Sequence, residues 1–459
     1  ELTTFYEQLA FHLMVILMRI TKLPMQDIFR VQISAWIRSL MISEHRRKQY
    51  LVPRRSELLQ VEEGFSQATI DGKRFQGAYV IDPVPGIHFE VAVLDFSSLY
   101  PSIIKTRNLS YETTNCIHPE CQKNALPNTP YWGCTKKMGI FAYVVGFLRD
   151  VRVKYFKQLS GDKSIPKEDR QTAKVMASAL KVFINGAYGV FGSPVFPLFC
   201  LRVAESTTAI GRFSIQSTIE KATQMGIKVL YGDSDSVFLL HPTADQVDEL
   251  IKWSEKKLDL DLELEKTYQF LALSDRKKNY IGVKKGSGEV DIKGLLAKKH
   301  NTPEFIKMKF TEVQQILQSI LDMDSFTLNR DKIIKIIKDT NRLIGVPPEK
   351  GGFNIEAYAI NVGLKKKIKD YVKTMPQHVK AAKMLPKEEI DQLEPGDFIN
   401  YVKTRSKEGV KPVTLATLVD IDHTKYKEMV KSTFEQLLDA LGINYEEILG
   451  VKKLTSFFG

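Results

Sequence analysis

Two short segments of the chain place carboxylates at the point where an apolar strand gives way to a turn. The apolar run Val91–Leu94 leads directly into Asp95, and the segment Lys228–Tyr231 leads into Asp233 and Asp235. An Asp-x-Asp turn alone often faces solvent, so neither segment is decisive by itself. Carboxylates on neighbouring strands can instead hold two divalent metals ~4 Å apart, the arrangement that supports in-line phosphoryl transfer.

Three motifs follow one another in an order that is specific to a known family. From Asp95 the chain reads Asp-Phe-Ser-Ser-Leu-Tyr-Pro-Ser-Ile-Ile, and from Tyr231 it reads Tyr-Gly-Asp-Ser-Asp-Ser, with Ser234 where the family usually has Thr. Between them, from Lys181, lies Lys-Val-Phe-Ile-Asn-Gly-Ala-Tyr-Gly, with Gly186 in place of the usual Ser. Over nearly all of its length the chain resembles the family B (alpha-like) DNA polymerases, of the archaeal replicative type.

The resemblance implies a mixed α+β fold, that of a right-hand polymerase with an antiparallel-sheet palm, helical-hairpin fingers and a mainly helical thumb. A chain of 459 residues is also expected to form two to four domains or subdomains. The predicted parts are 1–75 (helical tail of an exonuclease domain, plus linker), 76–138 (palm with an insertion), 139–192 (fingers), 193–299 (second part of the palm) and 300–459 (thumb and C-terminal tail).

Hydrophobic periodicity and turn residues predict the elements of these parts. The predicted helices are 140–159, 167–189, 204–225 and 244–257, the predicted hairpin is 227–240, and short strands are expected near 262–271, 279–284 and 290–294. From about residue 300 the pattern is mainly helical. The basic run Glu44–Lys48 is interpreted as a solvated helix face.

The N-terminal part carries no sign of a proofreading site. The family's last exonuclease motif is Tyr-x-x-x-Asp, but Tyr6 is followed four residues later by Ala10. We therefore expect no proofreading by this chain, and a proofreading exonuclease domain or chain N-terminal to it.

The charge balance favours a polyanionic partner. The chain carries 66 Lys and Arg against 54 Asp and Glu, a formal net charge of +12. Such a balance suits nucleic acid, although it would also suit an anionic membrane surface. The longest apolar run, Leu9–Met18, contains His12 and is too short to cross a bilayer. We predict no membrane association and a cytoplasmic location, in the nucleoid.

The resemblance implies a two-metal centre. Asp95 and Asp235 are predicted to bridge both ions, the main-chain carbonyl of Phe96 to add an oxygen ligand, and Asp233 to be auxiliary. Hard oxygen ligands around a triphosphate favour Mg²⁺, so two Mg²⁺ ions are the predicted cofactors.

Lys181, Asn185 and Tyr188 are spaced i, i+4, i+7 and therefore share one face of a helix. Ordinary helix packing would explain such a stripe, but a lysine among glycines makes a poor core. Lys181 is predicted to be catalytic and, with the other two, to bind the incoming dNTP. Gly186, Gly189 and Gly192 are expected to leave this region thin enough for a base pair to approach.

Further nucleotide contacts come from the resemblance. Arg152 aligns with the family's triphosphate-binding arginine, whose planar fork suits phosphate oxygens. The family's second basic residue is replaced by Phe156, so Lys154 or Lys157 is expected to substitute for it.

The first motif also supplies predicted nucleotide contacts at Ser98, Leu99 and Tyr100. The Tyr100 ring is expected to lie under the incoming sugar and to exclude a 2′-hydroxyl. A buried core tyrosine is the alternative interpretation.

Two lysine-rich elements after the third motif resemble the family's contacts to primer-template DNA. The predicted DNA-binding residues are Lys277, Lys278, Tyr280, Lys293, Lys298 and Lys299. A pair of lysines is usually only solvated surface, so their position in the chain carries this prediction. Contacts to the DNA backbone hold little sequence information, as a polymerase requires.

The C-terminal tail is similar to the sliding-clamp-binding motif. Leu454, Phe457 and Phe458 are in register with its aliphatic and aromatic positions, while Val451 stands where the motif has Gln. We predict a sliding clamp as partner, and packing of the tail onto the thumb is the alternative.

Three of the four cysteines cluster with a histidine, as Cys116, His118, Cys121 and Cys134. This pattern fits a zinc site, a local disulfide or free thiols. The resemblance favours a disulfide between Cys134 and Cys116 or Cys121, because some family members from heat-loving organisms carry one in this region.

The predicted function is template-directed DNA polymerisation, in which deoxynucleotides are added to a primer 3′ end by two-metal phosphoryl transfer. An inactive family B paralogue acting as a DNA-binding scaffold is the alternative, but such a protein has no physical reason to keep Asp95, Asp235, Lys181 and Tyr100. Reverse transcriptases usually end their palm hairpin in Tyr-x-Asp-Asp, which this chain lacks.

Overall fold

The computed structural model describes residues 2–28, 30–58, 77, 79–294, 301–372 and 375–450. The predicted DNA contacts Lys298 and Lys299, and the predicted clamp contacts Leu454, Phe457 and Phe458, lie outside the described residues. The chain divides into two compact units, one made of residues 1–80 and 93–265 and the other of residues 81–92 and 266–459. Among the described residues, no helix has the length and apolar character needed to cross a membrane.

Unit 1 combines long helices with the carboxylate-bearing strands. Its elements are α1 (Leu2–Thr21), α2 (Met25–Ile28), α3 (Ile33–Arg47), β1 (Gly86–Phe96, from Val93 onward), α4 (Leu99–Thr106), α5 (Ile140–Asp150), a π-helical turn (Val151–Phe156), α6 (Lys157–Gly161), α7 (Lys167–Phe191), α8 (Leu201–Gln224), β2 (Lys228–Asp233), β3 (Ser236–Leu240), α9 (Ala244–Leu258) and β4 (Leu262–Leu273, up to Glu265).

The strands of unit 1 are ordered β2-β3-β1-β4. The β2–β3 hairpin is antiparallel and pairs Asp233 with Ser236, so its turn is formed by the residues between them. The apolar residues that lead to Asp95 are buried along β1, as a strand covered on both faces requires. The ends of β1 and β2, which carry Asp95 and Asp233, therefore belong to one sheet.

The helices α5 and α7 pack against each other as the predicted helical hairpin. The rings of Phe141 and Phe191 stack with centroids 3.7 Å apart. The first N–H groups of α5 find partners in the preceding insertion: Ile140 donates to Glu112 at 2.5 Å and Phe141 to Ser110 at 3.2 Å. These bonds satisfy donors that a helix start leaves open.

Unit 2 contains residues 86–92 of β1, the rest of β4 and the C-terminal elements. These are β5 (Tyr280–Lys284), β6 (Val290–Lys293), α10 (Glu304–Gln318), α11 (Met323–Leu343), β7 (Ile360–Gly363), α12 (Gln377–Ala382), α13 (Lys387–Gln392), β8 (Phe398–Lys403), β9 (Val410–Pro412), α14 (His423–Ala440) and α15 (Tyr445–Ile448). An antiparallel β4-β5-β6 meander and a separate β7-β8-β9 sheet lie in this unit. Its main core is built on aromatic contacts such as Phe305 with Tyr358, 5.0 Å between centroids.

Most of the predicted elements are confirmed. The helices, the hairpin and the three short strands after it lie within a few residues of their predicted bounds. The helix predicted over 140–159 is interrupted by the π-helical turn at Val151–Phe156. The mainly helical region after residue 300 also contains the β7-β8-β9 sheet, whose strands of 4, 6 and 3 residues are too short to give a clear period-2 pattern.

The interpretation of Glu44–Lys48 as a solvated face is wrong for His45, which is 1% exposed. The His45 Nδ1–H group donates to the Met41 carbonyl at 2.7 Å, so Nε2 accepts the hydroxyl hydrogen of Tyr111 at 2.5 Å. Burial and the neighbouring Glu112 raise the pKa of Tyr111, which keeps this phenol a donor. The bond ties α3 to the insertion that follows α4.

We expect Tyr111→Phe to lower the free energy of unfolding by roughly 1–3 kcal/mol, because it leaves the buried His45 Nε2 without a donor. Urea unfolding measures the change. Tyr50→Phe is the matched control, since Tyr50 is exposed. Equal unfolding midpoints for the two variants would show that the buried bond adds nothing.

Candidate active site

A cavity of about 570 Å³ lies within unit 1 where its carboxylates and basic side chains meet. It is lined by Asp95, Phe96, Ser97, Ser98, Leu99, Tyr100, Arg152, Lys157, Lys181, Asn185, Tyr188, Ser234, Asp235, Glu263 and Glu265. Residues from all three sequence motifs therefore come together in one place.

The fold puts Asp95 and Asp235 side by side. The Phe96 N–H group donates to the Asp235 carbonyl at 2.8 Å, which joins the end of β1 to the β2–β3 turn. In that turn the Asp235 N–H group donates to the Asp233 carbonyl at 2.5 Å, and Ser234 has φ of 58°. This is a tight three-residue turn with a strained central residue, and it presents Asp235 to the cavity.

Two further carboxylates, Glu263 and Glu265, reach the cavity from β4. Residues i and i+2 of a strand share a face, so the two side chains point the same way. The strand was predicted from the sequence, but these two residues were not predicted to belong to the site. The sequence does show the alternation Leu-Glu-Leu-Glu over 262–265. The two glutamates reach the cavity only because β4 lies beside β1 in the sheet.

The neighbouring negative charges contribute to a raised pKa of Asp95. Burial, followed by the charges of Asp235 and Glu265, raises its pKa from 3.8 to about 7, and Lys181 opposes this rise. A divalent cation would favour the charged carboxylate and offset the repulsion. The donor set therefore fits hard cations of the kind that oxygen ligands bind.

Basic groups face the carboxylates from the two helices of the hairpin. The side chains of Lys181, Asn185 and Tyr188 all line the cavity from α7, as their shared helical face predicts. Arg152 lies in the π-helical turn, where Nη1 donates to the Ser98 hydroxyl at 2.5 Å and Nε to the Ala177 carbonyl at 3.2 Å. Turns of this kind are often found at functional sites.

Of the two lysines considered as the second basic residue, Lys157 lines the cavity and forms an ion pair with Glu263. Lys154 is directed elsewhere and lies 3.7 Å from Asp150. The geometry thus favours Lys157 as the partner of Arg152.

Arg149, which was not among the predicted site residues, is buried just before the π-helical turn. It forms an ion pair with Asp261, a second with Asp150 at 3.0 Å, and donates to the Ser102 hydroxyl at 3.1 Å. It therefore holds α5 against α4 and the start of β4, and fixes the position from which Arg152 reaches the cavity.

Tyr100 is half-buried and closes one side of the cavity. Its ring lies 4.7 Å from that of Tyr188, between centroids. A Cβ atom on Gly211 of α8 would lie 2.9 Å from the Tyr100 ring. Glycine at this position allows the ring to sit where it does, a requirement that could not be read from the sequence.

The expectation that Gly186 leaves room for a base pair is wrong for that residue. A Cβ atom on Gly186 would lie 2.9 Å from the Ile33 side chain, so the glycine accommodates helix α3. Gly189, in contrast, has open space within 4 Å.

Several predicted site residues lie outside this cavity. Asp233 is not among the described residues that line it. The remaining described DNA-contact residues lie in unit 2, where Tyr280 pairs with Lys293 across β5 and β6. Lys277 lies 3.2 Å from Asp82, and the Tyr280 ring is buried against Tyr268. Their roles at DNA stay predictions.

The chain has relatives among known proteins. The family model described as DNA polymerase family B matches residues 23–448. The chain is 44% identical to DNA polymerase 1 of Saccharolobus solfataricus, over 100% of this chain and 52% of that protein. It is also 44% identical to DNA polymerase 1 of Aeropyrum pernix, over 99% of this chain and 47% of that protein. The chain thus spans about half the length of these relatives.

Its fold is similar to the structure of the family B DNA polymerase from the hyperthermophilic archaeon Pyrobaculum calidifontis. The TM-score is 0.65 at 24% sequence identity, over 96% of this chain and 54% of that one. This likeness concerns the fold alone, and it confirms the predicted mixed α+β polymerase fold. The family model and the 44% identity to relatives show more: the chain belongs to the family B DNA polymerases.

Proposed function

We propose that this chain is the polymerase part of a template-directed DNA polymerase, and that it adds deoxynucleotides to a primer 3′ end by two-metal phosphoryl transfer. The observation that carries the proposal is the cavity in which Asp95, Asp235, Glu263 and Glu265 face Lys181 and other basic groups. Clustered carboxylates suit divalent cations, and the basic side suits a triphosphate.

Asp95, Asp235 and the Phe96 carbonyl would hold two Mg²⁺ ions, with Asp233 auxiliary. When bound, such ions lower the pKa of a primer 3′-hydroxyl and stabilise the negative charge of the departing pyrophosphate. The half-buried position of Asp95 and the rigid turn at Asp235 keep the two carboxylates oriented before any ligand binds. Preorganised ligands of this kind spare the reaction the cost of reorganisation.

The basic residues of the hairpin would bind the triphosphate. Lys181, which lines the same cavity as the carboxylates, would neutralise phosphate charge, and Arg152 would exchange its bond to Ser98 for phosphate oxygens. Lys157 would leave Glu263 to become the second basic contact. Asn185, Tyr188, Ser98 and the backbone at Leu99 complete the nucleotide-binding side.

The partners in this proposal are primer-template DNA, dNTPs, a sliding clamp at the C-terminal tail and an exonuclease domain or chain at the N-terminal side. The predicted division into palm, fingers and thumb belongs to the same proposal. So do the absence of proofreading by this chain and a location in the nucleoid.

Primer-template binding at several salt concentrations tests Lys277 and Lys278. Each lost phosphate contact should lower the slope of log binding constant against log salt concentration by ~0.9.

The two carboxylates are tested by primer extension with Asp95→Asn and Asp235→Asn. Each variant should lose at least about 10²-fold in rate, because it lacks a metal ligand. Binding of primer-template should stay within a few-fold, since contacts to the DNA backbone carry most of the affinity.

Asp248→Asn is the matched control for this experiment, because Asp248 is an exposed carboxylate on α9. It should extend primers at the normal rate. Near-normal turnover by either cavity variant would refute the metal site, and binding without extension by the unaltered chain would favour the scaffold function.

We also propose that the Tyr100 ring excludes ribonucleotides. Tyr100→Ala should raise kcat/KM for ribonucleotides relative to matched deoxynucleotides, because the bulk of the ring occupies the space of a 2′-hydroxyl. Tyr100→Phe is the control and should discriminate like the unaltered protein, since the ring remains. An unchanged ratio in Tyr100→Ala would contradict the proposed gate.

A further inference from the structure

The insertion between α4 and α5 brings four metal-ligating side chains together, none of which lines the cavity of the active-site carboxylates. The ligand atoms of Cys116, His118, Cys121 and Cys134 all lie within 4.8 Å of one another. We propose that these four residues form a structural zinc site.

The distances suit a tetrahedral ion. Zinc binds sulfur at about 2.3 Å and imidazole nitrogen at about 2.0–2.1 Å, so neighbouring ligand atoms in a tetrahedral site lie ~3.5–3.8 Å apart. The Cys134 sulfur is 3.5 Å from Nδ1 of His118. The other pairs are within 4.8 Å, so only a small contraction closes the site.

The backbone of the insertion buries the cysteine ligands and leaves an apolar neighbour exposed to solvent. Cys116 and Cys121 are buried, while Ile117, which lies between two of the ligands, is 94% exposed. Burying the isoleucine in place of a cysteine would remove more apolar surface from water, so the observed arrangement is consistent with a further role for the cysteines. The local core consists of the three cysteines with Trp132 packed against them. Small cores of this kind usually depend on a metal or a disulfide.

The sulfur atoms already accept hydrogen bonds from the backbone. The Thr135 N–H group donates to the Cys121 sulfur and the Lys136 N–H group donates to the Cys134 sulfur, each at 3.4 Å. Three thiolates around Zn²⁺ leave one net negative charge, which such donors stabilise. Binding would release the three thiol protons.

A disulfide, which the family resemblance favours, accounts for the cluster less well. The three cysteines are unbridged in the structure. A single disulfide would join two of the sulfur atoms and would not involve the third cysteine or His118. A metal ion uses all four groups at once. Three soft thiolates and one imidazole form a closed set that selects zinc and leaves no open position for catalysis.

The site would fix the start of the fingers helix. The Asn108 side chain donates to the carbonyls of Cys134 and Lys137 at 2.9 and 2.8 Å, and it accepts the Gly139 N–H group at 2.8 Å. Gly139 immediately precedes α5, the helix that leads to Arg152. A zinc ion in the insertion therefore stabilises the frame that positions the nucleotide-binding side of the cavity.

The metal content of the purified chain tests the site. After growth with zinc and purification without chelator, elemental analysis should find one zinc per chain. Cys116→Ser and Cys134→Ser should each reduce it to below about a tenth, because the loss of one thiolate opens the coordination sphere. Cys200→Ala is the control: Cys200 is also buried but lies outside the cluster, so this variant should keep its zinc.

Cobalt distinguishes this site from the carboxylates of the active site. Co²⁺ added to the zinc-depleted chain should show thiolate-to-cobalt charge transfer and the visible bands of a tetrahedral site, whereas oxygen ligands give no such charge transfer. This readout holds even if the serine variants fail to fold. Absence of both zinc and the charge-transfer band, or a disulfide in the denatured, unreduced chain, would overturn the proposal.

Discussion

Carboxylates that repel one another are held together at the end of β1, and the packing of unit 1 around them offsets this repulsion. Two unit charges ~4 Å apart repel by about 4 kcal/mol at an effective dielectric constant of about 20. Burial, Asp235 and Glu265 together raise the pKa of Asp95 to about 7. A cluster of this kind persists only because neighbouring strands hold its members in place. The fold thus keeps an unfavourable arrangement that divalent cations would relieve.

The opposite side of the cavity is kept in position by equally specific contacts. Arg149 joins the hairpin helix α5 to Asp261, and the π-helical turn that follows directs Arg152 into the cavity. Gly211 makes room for the Tyr100 ring. These contacts depend on close packing or on an irregular backbone, and they hold the basic side chains and the Tyr100 ring in place around the cavity.

The sequence predicted those parts of the site that lie in continuous motifs, such as Asp95, Asp235 and the face of α7 that carries Lys181. It did not reveal Glu263 and Glu265, because their role depends on which strand lies beside β1. The buried bond of His45 and the contact of Gly186 with Ile33 were missed for a similar reason: both depend on the packing of α3. The cysteine cluster was visible in the sequence, but the choice among its possible states needed the three-dimensional arrangement.

The repulsion at Asp95 is measured by the thermal stability of the Mg²⁺-free protein as a function of pH, for the unaltered chain and for Asp95→Asn. The folded pKa of Asp95 is raised from 3.8 to about 7, so its contribution to stability is full below pH 3.8 and is lost as the pH rises through 7. The variant should therefore gain in Tm relative to the unaltered chain over this interval, and remain ahead above it. Excess Mg²⁺ should reduce or reverse the difference, because only the unaltered chain keeps the full set of ligands. A Tm difference that does not change with pH or with Mg²⁺ would refute both the repulsion at Asp95 and its role as a metal ligand.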